Sequence, residues 1–340
     1  MISRRGALGL LGGLAGSALL PAATLGAPVS ARPPRLRPGD TVGLVAPASA
    51  VTLPEERDRA LHWIRGMGLV PRLGAHTEDR HGYLAGTDAD RAADLNAMFA
   101  DPEIRAIFAV RGGWGSARIL PLLDWPAIRA NPKLLIGYSD TTALHCAIAT
   151  RCAFPTLHAP NAASSWEKTS WDSLWRIAFA ADVPVLGGAA VEQAVGRPAR
   201  TLVEGTARGR LLGGNLTILS TLMGTGWLPS FDGAILFLED INEDPYRVDR
   251  MLQQLGLAGV MDRVSGVVFG QCTRCDLRDP DYAGFTLDDV LNQHLGDLRV
   301  PVVTGFNTGH VRSQLALPIG VPVELDAEAR TLRMLEPAVA

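Results

Sequence analysis

The chain has 340 residues, beyond the roughly 250–300 at which single hydrophobic cores usually stop growing, so two domains are expected. Apolar residues make up 47% and charged residues 20%, a balance that excludes an intrinsically disordered chain. A formal charge of −3 excludes the basic footprint of a general nucleic-acid binder, and with Lys133 and Lys168 the sole lysines, arginine supplies 30 of the 32 basic residues.

Residues 1–31 read as an export signal: Arg4-Arg5, an apolar run from Ala7 to Leu20, and small residues ahead of a cut after Val29-Ser30-Ala31. The apolar run is shorter than the about 20 residues that span a bilayer, so no stable membrane insertion of the mature protein is expected. Ser3-Arg4-Arg5-Gly6-Ala7-Leu8 resembles a twin-arginine signal, which predicts a periplasmic protein exported in folded form; an ordinary Sec signal is the alternative. Arg32–Gly39, rich in proline, reads as a stiff leader.

From Thr41 onward strand and helix patterns alternate. Thr41–Ala46 is an apolar strand; Thr52 and Glu55 form a T-x-x-E capping box ahead of a helix carrying Ala60, Leu61, Ile64 and Met67. Leu69–Leu73 is a second strand, and Thr87 caps a helix that turns Ala92, Leu95 and Phe99 inward. Ala106–Val110 and Leu134–Ile136 follow as strands, with a helix from about Thr141 to Thr150. This alternation predicts a doubly wound parallel-sheet domain, Rossmann- or flavodoxin-like, over residues 36–165. Residues 166–200, with three tryptophans and then a Gly/Ala/Pro-rich stretch, read as a linker. Residues 201–338 read as a smaller α+β domain, with strands at Thr206–Leu211, Ala234–Leu238, Val264–Phe269 and Val300–Val303, a helix from Pro245 to Leu255, and a closing hairpin of Val321–Leu325 with Thr331–Leu335.

Arg111-Gly112-Gly113-Trp114-Gly115-Ser116, directly after a strand, carries the sharpest chemical signal. Small residues let the chain turn from strand into helix and expose a serine, as a nucleophile elbow does. A phosphate-cradling loop and a plain turn with Ser116 as helix cap are the competing readings. A serine needs a base and a group that orients the base. Among seven histidines, His310 in Asn307-Thr308-Gly309-His310 occupies a loop suited to presenting a side chain, and His158 suits the wall of a cleft. Glu239, ending a buried strand, suits an orienting carboxylate, whereas Asp244 suits a helix cap before Pro245. Cys272-Thr-Arg-Cys275 has C-x-x-C spacing, but no second pair completes a zinc set.

Five motifs in one order then resemble the LD-carboxypeptidases, the muramoyl-tetrapeptide carboxypeptidase family of serine peptidases. They are Gly112-Gly113-Trp114-Gly115-Ser116, Gly137-Tyr138-Ser139-Asp140, Gly213-Gly214-Asn215-Leu216, Phe237-Leu238-Glu239-Asp240, and Gly309-His310 with Pro318-Ile319-Gly320. The resemblance spans about Leu36 to Leu335. It implies a triad of Ser116, Glu239 and His310, with the serine on the first domain and the other two on the second. It also implies a homodimer without metal or cofactor, acting on muropeptides by removing D-alanine from an L-centred diaminopimelate or lysine. The oxyanion is then expected on the N–H of Ala117 and that of Gly86, with Gly113 and Trp114 lining the site and Arg111 or Arg247 taking the D-alanine carboxylate. Two other functions are open: an immunity-type hydrolase of peptidyl- or aminoacyl-adenylates, as in microcin C self-immunity, and a non-catalytic exported muropeptide-binding protein.

Overall fold

The computed structural model describes residues 31–188, 196–276 and 282–340, so almost all of the expected export signal lies outside the described residues. The first half supplies strands β1 (Thr41–Val45), β2 (Val70–Leu73), β3 (Ile104–Ala109), β4 (Leu134–Gly137) and β5 (Thr156–His158). The second supplies β6 (Val185–Gly187), β7 (Arg200–Val203), β8 (Thr206–Asn215), β9 (Ile235–Ile241), β10 (Gly266–Thr273), β11 (Val302–Thr304), β12 (Leu317–Ile319), β13 (Pro322–Asp326) and β14 (Thr331–Met334).

Strands β2-β1-β3-β4-β5 run parallel; β1, β3, β4 and β5 are buried through their middles because helices cover both faces, whereas edge strand β2 stays partly exposed. The helix Asp88–Ala100 begins at Thr87, whose hydroxyl accepts the Asp90 N–H while the Asp90 carboxylate accepts the Thr87 N–H, a complete capping box. The box expected at Thr52 and Glu55 does not form. Pro54 sets the first helical position, which moves the cap to Leu53 and leaves Thr52 one residue outside; its N–H donates to Glu56 instead. The helix Thr142–Arg151 is buried over nearly its whole circumference because it lies between the two halves, against β5 on one side and β8 on the other.

The second sheet has order β6-β14-β13-β8-β9-β10-β11-β7. Its centre, β8 to β11, is parallel; the flanking strands are antiparallel, and β13 with β14 is the expected hairpin. Residues 166–200 are not a bare linker. Trp166 is buried, a helix runs over Lys168–Leu174 and continues as a wider turn to Phe179, and β6 and β7 begin and end the second sheet. The composition misleads there because three- and four-residue edge strands need little apolar sequence.

Main-chain hydrogen bonds also join the halves. Strand β12, from the second half, pairs antiparallel with β5 at the edge of the first sheet. The leader is pinned by the carboxyl end of the chain, Arg35 N–H donating to Ala340 O and Ala340 N–H to Pro33 O. Cys272 and Cys275 form a disulfide at the end of β10, while Cys146 and Cys152 are free and buried.

Candidate active site

Strand β4 ends at Gly137 and the chain turns through Tyr138, Ser139 and Asp140 into the helix Thr142–Arg151. Ser139 sits at φ 64°, the left-handed region that a side-chain-bearing residue enters only when its surroundings impose it. What imposes it is close packing. Gly214 and Asn215, at the end of β8, abut Thr142, whose hydroxyl accepts the Asn215 N–H at 3.0 Å. On the other side Gly112 approaches so closely that a Cβ there would lie 2.9 Å from the Ser139 Cβ; only glycine fits.

Strand β9 carries Glu239, fully buried, at its C-terminal end. The loop after β11 brings His310 over it. Gly309 permits this with φ 106°, since a Cβ at that position would fall 2.8 Å from Glu239 Oε2. His310 Nδ1 lies 2.7 Å from Glu239 Oε2 and Nε2 lies 3.0 Å from Ser139 Oγ. With Glu239 ionised, Nδ1 donates to the carboxylate and Nε2 is left to accept the serine proton. Thr273 Oγ1 donates to His310 O at 2.8 Å, and the Tyr138 ring stands 4.7 Å from the imidazole, so the base is held from several directions.

Electrostatics favour the charged pair. Burial alone would push the Glu239 carboxyl up, but the His310 charge and hydrogen bond, with the Asn215 amide, hold it below the ordinary value. Burial opposes charging His310 as well, yet Glu239 outweighs it and raises the imidazole above its ordinary value. Neighbouring Asp240 is pushed up to about 6 by burial and by the Glu239 charge; it accepts from Asn215, Thr217 and the Ile241 N–H, and so braces the end of β9.

The sequence reading placed the serine one strand too early. Ser116 is fully buried at the start of a four-residue helix, where its N–H donates to Asp140 Oδ2 at 2.7 Å. Both serines follow a strand and glycine, but β4 stands next to β5, which carries β12 on the side of the sheet that meets β8, and β3 stands one place farther off. The start of the glycine segment, Arg111 to Gly113, thus lines the site, while Gly115 and Ser116 support it from behind. Asp140 accepts the amides of Gly115 and Ser116, and buried Arg91 donates to Gly115 O at 2.9 Å.

A cavity of about 220 Å³ opens over Ser139, lined by Glu56, Arg111, Gly112, Gly113, Tyr138, Ser139, Asn161, Ser164 and His310 among others. Gly113 is in the lining, and so is Arg111, one of the two arginines weighed for the carboxylate. Gly86, Ala117 and Trp114 do not line the cavity. Gly86 lies against Asp79 and Asp90 at a helix start, Ala117 packs on the core, and Trp114 is half-buried with its N–H on Ser49 Oγ. Arg247 is exposed beside Tyr246, Glu243 and Asp244. His158 is no cleft wall but is buried behind Tyr138, its pKa pushed down to about 3 by burial. Among the described residues one group has metal-ligand spacing, His76, Asp79 and Asp90, and none of the three lines the cavity.

Comparison with known proteins identifies the family. Residues 42–159 match the LD-carboxypeptidase N-terminal domain and residues 208–325 the LD-carboxypeptidase C-terminal domain. The chain belongs to the LD-carboxypeptidase family. A putative carboxypeptidase of Streptomyces coelicolor is 44% identical over 317 residues, covering 91% of this chain and 97% of that protein. A probable murein peptide carboxypeptidase of Bacillus subtilis is 35% identical over 300 residues, covering 88% and 93%. The solved structure of the microcin C7 self-immunity protein MccF in complex with glutamyl sulfamoyl guanosine superposes with TM-score 0.82 at 27% identity, covering 92% of this chain and 100% of that one. This LD-carboxypeptidase is thus a two-domain α/β serine carboxypeptidase with Ser139, His310 and Glu239 in hydrogen-bonded series.

Proposed function

We propose that the protein removes the terminal D-alanine from L-diaminopimelyl- or L-lysyl-D-alanine tetrapeptides of peptidoglycan, with Ser139 as nucleophile. The observation that carries this reading is the His310 ring bridging Ser139 Oγ and the buried Glu239 carboxylate. Ser139 Oγ attacks the carbonyl of the L-centred residue while its proton passes to His310 Nε2. Collapse of the tetrahedral intermediate breaks the C–N bond, and His310 returns the proton to the amine of the leaving D-alanine. Water then attacks the acyl-enzyme by the same path. Glu239 holds the imidazole tautomer throughout.

The oxyanion falls to the N–H of Asp140, next after Ser139, and to the backbone of Gly112 and Gly113, which lines the same cavity. One such donor typically contributes about 2.7–4 kcal/mol to lowering the barrier. Arg111, the permanent cation in the lining, takes the D-alanine carboxylate.

The test is D-alanine release, followed by mass, from matched tetra- and pentapeptides. The L,D bond of the tetrapeptide is cut and the D-alanyl-D-alanine bond of the pentapeptide is spared; equal release from both refutes LD specificity. Likeness to MccF supports a second substrate class, and inertness toward both peptides with cleavage of an aminoacyl-sulfamoyl adenosine selects it.

We also propose that the enzyme is periplasmic and a homodimer. The twin-arginine pattern at Arg4-Arg5 supports export, and the Cys272–Cys275 disulfide is compatible with an oxidising compartment. Arg4→Lys with Arg5→Lys leaves the precursor in the cytoplasm if the signal is of this type, and the mass in solution reports the dimer.

A further inference from the structure

The cavity over Ser139 holds one carboxylate that the reaction does not use. Glu56, in the first turn of the helix Pro54–Gly66, lines the cavity with its side chain 19% exposed. It is fixed in place: its Oε2 accepts the Thr52 N–H at 3.0 Å and faces Arg111 Nη1 at 3.3 Å. Arg111 is anchored independently, Nη1 donating to Ala50 O at 2.9 Å. Both hydrogen bonds to Glu56 fall on the same oxygen. The remaining lining is backbone, hydroxyl, amide, small apolar groups and the imidazole.

The lining therefore offers one guanidinium and one carboxylate side by side. The scissile unit of an L-lysyl-D-alanine peptide carries one carboxylate, on D-alanine, and one ammonium, at the end of the third-residue side chain. The two sets of charges match in number and sign. We propose that Glu56 is a specificity-determining residue that receives the side-chain ammonium of the third stem-peptide residue while Arg111 holds the D-alanine carboxylate. The proposal rests on the LD-carboxypeptidase reading given above. In this arrangement Arg111 and Glu56 each keep an opposite charge beside them when substrate enters, so neither is left buried and unpaired. An ammonium donating to a fixed, mostly sheltered carboxylate forms a charge-assisted hydrogen bond, stronger than a neutral one. A neutral side chain of equal length forgoes it and leaves Glu56 with Arg111 alone.

The experiment compares D-alanine release from two tetrapeptides that differ in one group, L-lysine or L-norleucine at position three. Both contain the L,D bond. The unaltered enzyme is expected to favour lysine by on the order of ten- to a hundredfold in kcat/KM. In Glu56→Gln that ratio falls to near unity, and in Glu56→Asp, which keeps the charge, most of it returns. A ratio that is near unity in the unaltered enzyme overturns the proposal. So does a ratio unchanged in Glu56→Gln with both rates lowered together, which makes Glu56 a support for Arg111 only. Failure to release D-alanine from either peptide overturns the LD reading itself, because the norleucine peptide lacks the ammonium yet retains the scissile bond.

Discussion

Exchange of each serine for alanine separates the two candidate nucleophiles. Ser139→Ala removes one oxygen, whose partner is His310 Nε2 at 3.0 Å. Losing one ordinary hydrogen bond costs about 0.5–1.5 kcal/mol of stability. The left-handed backbone at φ 64° costs about 1–2 kcal/mol for serine and alanine alike, so that strain cancels in the comparison. At roughly 2–4 °C per kcal/mol for domains of this size, the melting temperature moves by only a few degrees. Turnover moves by far more. Removing the nucleophile of a serine triad lowers kcat by about 10⁶, equivalent to about 8 kcal/mol of barrier. Ser116→Ala is the reverse case, for the main-chain N–H of Ser116 that donates to Asp140 survives the substitution. Its kcat is expected within about threefold of the unaltered enzyme. The assay is D-alanine release from a tetrapeptide, with thermal unfolding measured in parallel. Loss of turnover in Ser116→Ala together with near-normal turnover in Ser139→Ala refutes the reasoning.

His310 serves as base only when neutral, and Glu239 raises its pKa, so kcat/KM falls toward acid with a midpoint above the unperturbed 6.5. Glu239→Gln removes the raising charge and shifts that midpoint downward in a pH–rate profile, together with a lower plateau. Gly309→Ala places a methyl 2.8 Å from Glu239 Oε2 at φ 106°, which displaces the His310 loop. At about a hundredfold per ångström of misplacement, a loss of kcat by two orders of magnitude or more is expected in steady-state kinetics. Arg111→Ala raises KM for the tetrapeptide by about tenfold or more, whereas exposed Arg247→Ala leaves it within about twofold; the opposite ranking reassigns the carboxylate site.

Much of the first sheet was legible because its strands are short, nearly continuous apolar runs set between helices with recognisable starts. The box at Thr87 forms as read, while the one at Thr52 fails because Pro54 outweighs it in fixing where the helix begins. Glu239 and His310 were legible from position alone, at a strand end and in a loop. The serine was not. Arg111–Ser116 and Gly137–Asp140 share the same local grammar of strand, glycine, serine and helix. What separates them is which strand lies beside the second sheet, a contact between residues such as Thr142 and Asn215 that lie far apart in sequence. The positive φ of Ser139 is likewise imposed from outside its own segment. Strand β12 escaped notice because Leu317-Pro318-Ile319 is three residues with a central proline, a residue that donates no ladder hydrogen bond and therefore belongs at an edge.

That edge strand has a consequence for how the molecule can be divided. The first half ends its own strands at β5, and the strand that covers β5 arrives more than 150 residues later in the chain. A fragment cut after the first sheet would expose a row of unpaired backbone groups beside the serine turn, a template for pairing between copies. The loop that carries His310 to the serine runs directly into the late strand that seals the sheet. A chain that ends before Ile319 leaves that edge open, and one that ends before His310 lacks the base as well.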